Sequence, residues 1–385
     1  MTDLLRPTEL HVAGAITPEG AVSPARIRIR DGRIAGVDEY AGPTAPLWAV
    51  PGFIDTHTHG ALGTDFNSAD ADGVRRILQW QRSHGTTTVL ASLLTAPIPQ
   101  LVRQLELLTG FAEAGEIAGI HLEGPFLSAA KCGAHPAEHL RTPDAATMAT
   151  LLEAGHGHIA MVTLAPELPG AWALIDQLLE AGVQVAFGHS AADAATTARA
   201  IAAGVSIATH LFNAMEPIHH RVPGPIPQLL GDPRVAVELI CDGIHVAQEV
   251  IQLTIDAAGV DRVMLVSDTM AAAGCGDGEY ALGDRPVVVR EGRATDPAGR
   301  LAGSTSAADA AFAELVREGC TLAEAAAMAS TTPARVHGFT DIGELRRGTW
   351  ADLVLVDGVG AAARVMRRGT WLEPGTVDDP IAPMA

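Results

Sequence analysis

Short runs of apolar residues alternate with helix-like segments along the middle of this chain. The runs cover residues 50–56, 86–92, 117–122, 159–164, 183–188, 206–209, 235–240 and 263–267. Helical patterns between them include residues 74–83, 145–154, 192–203 and 247–258, and glycine often follows these helices, as is usual at a helix C-terminus. Eight alternations of strand and helix predict an α/β fold, a (β/α)8 TIM-like barrel over residues 51–337.

The two ends of the chain differ from the middle because both show strand patterns. Residues 26–30 alternate arginine and isoleucine before an Asp-Gly turn, and residues 351–358 form another apolar strand and turn. Neither end can bury its apolar face alone. We therefore expect residues 1–50 and 338–385 to pair as one small β-sandwich domain. A hairpin inserted near residues 279–300 is predicted after the eighth strand.

Composition excludes several classes of protein. Of the 385 residues, 48% are hydrophobic, which is enough for a large core and rules out wholesale disorder. The net charge of −19 makes nucleic acid and anionic membranes unexpected partners. We expect no secretory signal and no membrane span, since the uncharged run 83–102 contains a histidine, threonines and prolines. Four cysteines without a CxxC pair indicate a reducing, cytoplasmic compartment.

Side chains that can bind metal stand at or just after five of the predicted strands. They are His57, His59, Glu123, His189, His210 and Asp268. All strands of such a barrel end on one face, where active sites are built, so these residues would meet in space. Imidazole and carboxylate suit Zn²⁺ and its first-row neighbours. The set predicts a site for one or two divalent ions.

Each of these residues alone has a simpler explanation. A single His-x-His pair is more often incidental than metal-binding, and His189 or His210 alone would more often be a hydrogen-bonded interior residue. Asp268 could be a helix N-cap and Glu123 a turn residue. His121, on the same strand face as Glu123, could equally be packed, ligating or supporting a ligand. So many coincidences at strand ends are improbable, which favours metal binding for the set.

The loop at residues 129–143 is broken by glycine and proline and is long enough to act as a lid. It contains His135 and His139. Cys132 follows Lys131 there, and the ammonium group could lower the pKa of the thiol. A passive surface cysteine is the simpler interpretation.

A series of motifs runs in order from residue 51 to residue 304. They are Pro-Gly-Phe-Ile-Asp-Thr-His-Thr-His-Gly at 51–60, His-Leu-Glu-Gly-Pro-Phe at 121–126, Gly-Ala-His at 133–135, Gly-His-Ser at 188–190, His-Leu-Phe-Asn-Ala-Met at 210–215, Asp-Gly-Ile-His at 242–245, Ser-Asp at 267–268 and Leu-Ala-Gly-Ser at 301–304. Each motif alone is weak, but the ordered set is specific. The chain resembles the amidohydrolase superfamily and, within it, the N-acetylglucosamine-6-phosphate deacetylase family.

The resemblance implies metal-dependent hydrolysis of N-acetylglucosamine 6-phosphate to glucosamine 6-phosphate and acetate, in amino-sugar and cell-wall sugar recycling. It assigns metal ligation to Glu123, His189 and His210 and acid–base work to Asp268. Some members lack a strand-one histidine and bind a single ion, whereas this chain keeps both His57 and His59. Zn²⁺, one or two ions per subunit, is the expected metal.

The resemblance also implies contacts with the sugar phosphate. These fall on Ala134, Asn213, Ala214, His220, Arg221, His245, Leu301, Ala302 and Gly303, with His245 near the scissile amide. A guanidinium can grip phosphate through two bonds, although residues 219–221 could instead be a solvated loop. Since such loops meet a neighbouring subunit in the family, a homodimer is expected, with Arg221 acting across its interface.

Two other functions fit part of this pattern. One is an amidohydrolase with a different substrate, such as a cyclic amidase or an N-acyl-amino-acid deacylase, but the Asn213–Arg221 cluster argues against it. The other is a non-catalytic barrel scaffold, which would have no reason to keep the ligand set and Asp268.

Overall fold

The computed structural model describes residues 8–372. Its central feature is a sheet of eight parallel strands that neighbour one another in sequence order. The strands are Phe53–Thr58, Thr86–Leu94, Gly119–Glu123, Ile159–Leu164, Gln184–Phe187, Ile207–Ala208, Ala236–Ile240 and Val263–Val266. The sheet is nearly closed, and the N–H of Asp268 donates to the carbonyl of His57 at 2.9 Å beside the seam. Each strand overlaps a predicted one, and the TIM-like barrel is confirmed.

The barrel strands consist mostly of apolar residues and threonine because both of their faces are covered. Every residue of Thr86–Leu94, for example, is buried. Continuous burial is the expected pattern for a parallel sheet, whereas a sheet with one wet face alternates. Polar side chains that can react are therefore concentrated where the strands end.

Helices follow most of these strands. They are Ala71–Ser83, Ile98–Glu113, Ala145–Ala154, Ala171–Glu180, Ala194–Ala202, Ile226–Gly231, Gln248–Ala258, Ala308–Arg317, Leu322–Ala326 and Thr332–Val336. Ala129–Lys131 and Ala137–His139 are short 3-10 helices, and Ala327–Thr331 is a π-helical segment. Local sequence explains several starts: the Asp144 carboxylate accepts from the N–H of Thr147 at 2.8 Å, and Asp193 caps the N–H of Thr196 in the same way.

The two chain ends build a second, separate sheet of eight strands. Its strands are Thr8–Thr17, Gly20–Val22, Ala25–Arg30, Arg33–Glu39, Ala45–Pro51, Leu353–Val356, Ala362–Arg367 and Thr370–Trp371. Leu353–Val356 runs antiparallel to Ala45–Pro51, which joins the C-terminal strands to the N-terminal ones. Ile27, Ile34 and Leu353 are buried in its core. The strand-rich sheet predicted from the two ends is confirmed, while residues 373–385 of the predicted domain lie outside the described residues.

The segment where a hairpin was predicted forms a three-stranded antiparallel sheet. Its strands are Gly278–Leu282, Arg285–Arg290 and Arg293–Thr295, and a further short pair is Gly60–Ala61 with Thr64–Asp65. The apolar side chains of the three-stranded sheet, such as Leu282 and Val287, are buried in a cluster with Met270 and Ala302.

The chain divides into two compact units. One runs to Asp55, takes in Gln79–Thr88 and resumes at Ala307, and it contains the chain-end sheet. The other contains Thr56–Leu78 and Val89–Ser306, and every candidate site residue belongs to it. The domain boundaries derived from the sequence stay a prediction. Within residues 8–372, no helix combines the length and the apolar character that crossing a membrane requires.

Candidate active site

Two groups of side chains that could hold metal meet at Glu123. The Nε2 atoms of His57 and His59 lie 3.1 Å apart, and those of His189 and His210 lie 3.0 Å apart. Oxygen Oε1 of Glu123 is 3.0 Å from the His189 nitrogen and 2.9 Å from the His210 nitrogen, while Oε2 is 3.2 Å from the His59 nitrogen. The donors form two groups, His57–His59–Glu123 and Glu123–His189–His210. One carboxylate is thus placed to serve both.

Asp268 stands beside the first of these groups. Its Oδ1 atom is 3.2 Å from Nε2 of His59 and 3.6 Å from Nε2 of His57. The six residues predicted from the strand ends are therefore brought together, although they come from five different strands.

Three of them adopt a backbone conformation that is unusual for residues other than glycine. The φ angles are +47° at His189, +29° at His210 and +48° at Asp268, all in the left-handed region. Holding such a residue there costs about 1–3 kcal/mol, and strain of this kind clusters at functional sites. The strain falls on the residues two positions after the fifth, sixth and eighth barrel strands, where the chain leaves the sheet.

The donor set fits a divalent cation. In each histidine pair the two Nε2 atoms lie only 3.0–3.1 Å apart and face each other. Glu123 is almost fully buried among these rings. Within the described residues the ion pairs of Glu123 are all with imidazoles, and neither lysine nor arginine neutralises it. Buried charges require a partner, and a metal ion bound by imidazole and carboxylate could take the place of the protons that these rings otherwise carry.

The same contacts shift the pKa values of the metal-free site. Burial by itself would raise the pKa of Glu123, but the imidazoles of His57 and His135 hold it well below its usual value. Burial would likewise raise the pKa of Asp268, yet the hydrogen bond from His59 and the nearby imidazoles lower it to about 2. Burial opposes protonation of His59, but hydrogen bonds to Asp268 and Glu123 raise its pKa to about 9. Both acids are therefore ionised at neutral pH.

Metal binding is expected to release protons at pH 7. The pKa of His59 is about 9 and that of His57 is well above its ordinary value, so both rings are protonated in the metal-free chain below those values. A ring nitrogen must lose its proton before it can bind metal, so affinity should increase as pH rises toward 9. Calorimetric titration in buffers of different ionisation enthalpy measures the protons released. Apparent enthalpies that are identical in every buffer would contradict this expectation.

Sequence reasoning missed the contribution of His135. It lies in the predicted lid loop, but its side chain is buried and Nε2 is 3.2 Å from Oε2 of Glu123. Nδ1 accepts from the N–H of Thr95 at 3.3 Å, which leaves the ring proton on the nitrogen that faces Glu123. The Gly-Ala-His motif carried a signal for this residue.

The structure also shows how two other residues of this region, Cys132 and His121, are placed. Cys132 is 6% exposed, so a surface cysteine is wrong: Nδ1 of His189 donates to the carbonyl of Lys131 at 2.9 Å and holds this part of the loop against the barrel. His121 is hydrogen-bonded on both nitrogens, to Ser92 and Thr163 hydroxyls at 3.0 and 2.8 Å. It is a packed supporting residue and not a ligand in this arrangement.

A cavity of about 410 Å³ opens above the metal-binding groups. Of the residues predicted to contact substrate, it is lined by Ala134, Asn213, Ala214, His245, Leu301 and Gly303. Ala302 is not among the cavity-lining residues; it is buried in the apolar cluster that includes Leu282 and Val287. The strand-end residues Glu123, His189 and Asp268 form part of the wall.

His245 enters this cavity on a rigid support. The Asp242 carboxylate accepts from Nδ1 of His245 at 2.7 Å and from the N–H groups of Ile244 and His245 at 2.9 and 2.8 Å. Burial would lower the pKa of His245, but the bond to Asp242 raises it. The ring is therefore a better hydrogen-bond donor than an isolated histidine at neutral pH.

Two side chains that were predicted to contact the sugar phosphate, His220 and Arg221, do not line the cavity. His220 and Arg221 lie exposed on a loop, with Nη1 of Arg221 2.6 Å from Nε2 of His220, and neither is among the cavity-lining residues. Lys131 and Arg300 do line it. Lys131 pairs with Glu216 at 2.9 Å, and Arg300 is held by Asp296.

Comparison with known proteins identifies the family of this chain. The model of the amidohydrolase family matches residues 48–372, and the chain belongs to that family. Its relatives include more specific enzymes. It is 34% identical to the N-acetylgalactosamine-6-phosphate deacetylase of Escherichia coli O157:H7, over 93% of this chain and 96% of that one. It is also 34% identical to the N-acetylglucosamine-6-phosphate deacetylase of Lysinibacillus sphaericus, over 86% and 88% of the two chains.

A solved structure of the same kind of enzyme is also similar. The N-acetyl-D-glucosamine-6-phosphate deacetylase of Mycobacterium smegmatis superposes with a TM-score of 0.91 at 40% identity, over 95% of this chain and all of that one. A variant of that enzyme has been solved with N-acetyl-D-glucosamine-6-phosphate bound.

Proposed function

We propose that this chain is an N-acetylglucosamine-6-phosphate deacetylase, which hydrolyses the acetamide to glucosamine 6-phosphate and acetate. The observation that carries the proposal is the pair of metal-binding groups sharing Glu123, with Asp268 beside them and a cavity of substrate size above. The relatives, which span nearly the whole chain, support the sugar phosphate as substrate over an acyl-amino acid or a cyclic amide. An intact ligand set also argues against a non-catalytic scaffold.

The residues present suggest how hydrolysis proceeds. A divalent ion, which we propose is Zn²⁺, would be held by Glu123, His189 and His210, with His57 and His59 available for a second. Such an ion supplies Lewis acidity, which polarises an amide carbonyl and makes water more acidic. Asp268 is ionised at neutral pH and accepts a proton from the water molecule whose oxygen attacks the acetyl carbon. Asp268 then gives that proton to the amine nitrogen as the C–N bond breaks.

His245 acts on the other side of the amide. Its Nδ1 proton is held by Asp242, so Nε2 donates to the acetyl oxygen when the ring is protonated. Negative charge develops on that oxygen during attack, and a fixed donor stabilises the transition state more than the ground state.

A substrate panel tests the proposed function. Purified enzyme loaded with Zn²⁺ should release acetate from N-acetylglucosamine 6-phosphate and much less from N-acetylglucosamine or N-acetyl-amino acids. N-acetylgalactosamine 6-phosphate belongs in the panel because the Escherichia coli relative is named for it. Faster turnover of an acetyl-amino acid than of either sugar phosphate would contradict the proposal.

Three further assignments accompany the activity. We propose a homodimer, since the loop that carries Arg221 also exposes the apolar side chains of Ile218 and Val222, which a partner would cover. We propose a cytoplasmic location, supported by the free thiols of Cys132 and Cys275. We also propose that the chain-end domain comprises residues 1–50 and 338–385.

Arg221→Ala should lower kcat/KM for N-acetylglucosamine 6-phosphate by about 10²-fold, because charge-assisted bonds to phosphate contribute roughly 1.5–3 kcal/mol each. Activity on unphosphorylated N-acetylglucosamine should hardly change. Steady-state kinetics on both sugars checks this, with Arg75→Ala, an exposed arginine on the helix Ala71–Ser83, as control. An equal loss on both sugars would assign Arg221 to folding instead.

The cross-subunit part of this assignment has a separate test. Mixing Arg221→Ala protein with Asp268→Asn protein should restore part of the activity, because a hybrid dimer has one site with both residues intact. Mixtures no more active than the separate variants would place Arg221 within its own subunit's site or outside the site.

A further inference from the structure

A buried carboxylate outside the predicted ligand set lies against both metal-binding groups. Glu238 is fully buried on the otherwise apolar strand Ala236–Ile240. Oxygen Oε2 is 2.9 Å from Nδ1 of His57 and accepts from the N–H of His210 at 3.3 Å. Oxygen Oε1 accepts from the hydroxyl of Thr56, also at 3.3 Å. The strand side chain therefore touches the ring of one candidate ligand and the backbone of another.

An acid at this position is difficult to explain by stability alone. Its ion pair within residues 8–372 is with the His57 ring, and neither lysine nor arginine pairs with it. Buried charged pairs often stabilise a fold no better than apolar residues of the same volume. A Leu or Met would continue the surrounding apolar strand, so the carboxylate has to be explained by the residue it contacts.

The contact with His57 has a definite chemical consequence. Because a carboxylate can only accept, Nδ1 of His57 must carry a proton, and Nε2 is the nitrogen left for a metal. That Nε2 atom is the one 3.1 Å from Nε2 of His59 and 3.5 Å from Oε1 of Glu123. Partners that orient a ligating histidine in this way typically change metal affinity by 10–100-fold.

We propose that Glu238 is a positioning residue that sets the metal affinity of the His57–His59–Glu123 group. It thereby determines whether this chain holds one ion or two. The inference rests on the proposed metal-dependent function, but it concerns metal binding and not turnover. The chain's second ion depends on Glu238 through the ring of His57.

Two substitutions separate charge from contact. In Glu238→Gln the amide oxygen can still accept from His57 and His210, but as a neutral and weaker acceptor. In Glu238→Leu no acceptor remains. Zn²⁺ titration of the metal-free full-length protein against a chromophoric chelator should show weaker binding of the second ion, by about 10-fold for Gln and about 100-fold for Leu. Asp352→Asn is the control, since this buried acid accepts from the N–H of Arg368 and belongs to the unit that contains the chain-end sheet.

A double-substitution cycle distinguishes positioning from general support of the fold. If Glu238 acts through His57, then Glu238→Gln should not change Zn²⁺ affinity further in a His57→Asn background. A disturbance of the barrel would instead weaken binding equally in both backgrounds, and that result would overturn the proposal. If Glu238→Leu does not fold, the Gln variant decides alone, and wild-type affinity in it would also overturn the proposal.

Failure of this inference is distinguishable from failure of the proposed function. If the wild-type protein deacetylates the sugar phosphate, and both Glu238 variants bind Zn²⁺ as tightly as the wild type, only the role of Glu238 is overturned. Zn²⁺ binding that depends on Glu238 in a protein without deacetylase activity would overturn only the function.

Discussion

Asp268→Asn should lower kcat for N-acetylglucosamine 6-phosphate by about 10²–10⁴-fold, the usual contribution of a positioned general acid or base. The amide has the same shape as the carboxylate, yet it cannot take a proton from water or return one to the amine. In the wild-type chain the neighbouring imidazoles hold the pKa of Asp268 at about 2, so the carboxylate is ionised at neutral pH. Steady-state kinetics measures the loss.

Metal content and substrate affinity show whether the loss of activity in the Asp268→Asn protein comes from proton transfer alone. Both should remain close to wild type in the Asp268→Asn protein, as shown by elemental analysis and by equilibrium binding of the sugar phosphate. Asp72→Asn, at an exposed acid in the first turn of a helix, is the matched control and should keep full activity. Near-normal turnover in the Asp268 variant would remove it from the acid–base role.

His189→Gln should reduce activity by about 10²-fold or more and should also reduce the bound metal, because it removes a donor from the Glu123–His189–His210 group. His57→Asn should be less damaging, since it affects only the other group. Elemental analysis and kinetics on the same preparations test the order of the two effects. His156→Gln provides the control, because this exposed histidine has the same φ of +47° but lies away from the barrel mouth.

A full metal complement in the His189 variant would contradict the ligand assignment. So would a larger loss of activity in the His57 variant, which would make the group on the first strand the essential one.

Much of the architecture could be predicted from the sequence, because the patterns that specify it are local. Short continuous apolar runs such as residues 159–164 are typical of strands covered on both faces, and Asp144 and Asp193 mark helix starts because their side chains cap the first turn. Once a barrel is inferred, topology alone brings its strand ends to one face. That is why His57, Glu123 and Asp268 could be grouped although they are far apart in the chain.

Other features depended on contacts between distant segments. In the sequence, nothing explains an acid at position 238 of an apolar strand. The structure shows its carboxylate 2.9 Å from Nδ1 of His57. His135 and Cys132 look like loop residues until the loop is seen folded against Thr95 and His189. The packing of whole strands against one another decides which loop side chains are buried. It also decides which buried acid contacts which imidazole. The sequence by itself determined the barrel, the chain-end sheet and the candidate ligands, because periodicity and strand order carry that information. Only the tertiary structure decided how those ligands are held, because hydrogen bonds between distant residues leave no local pattern.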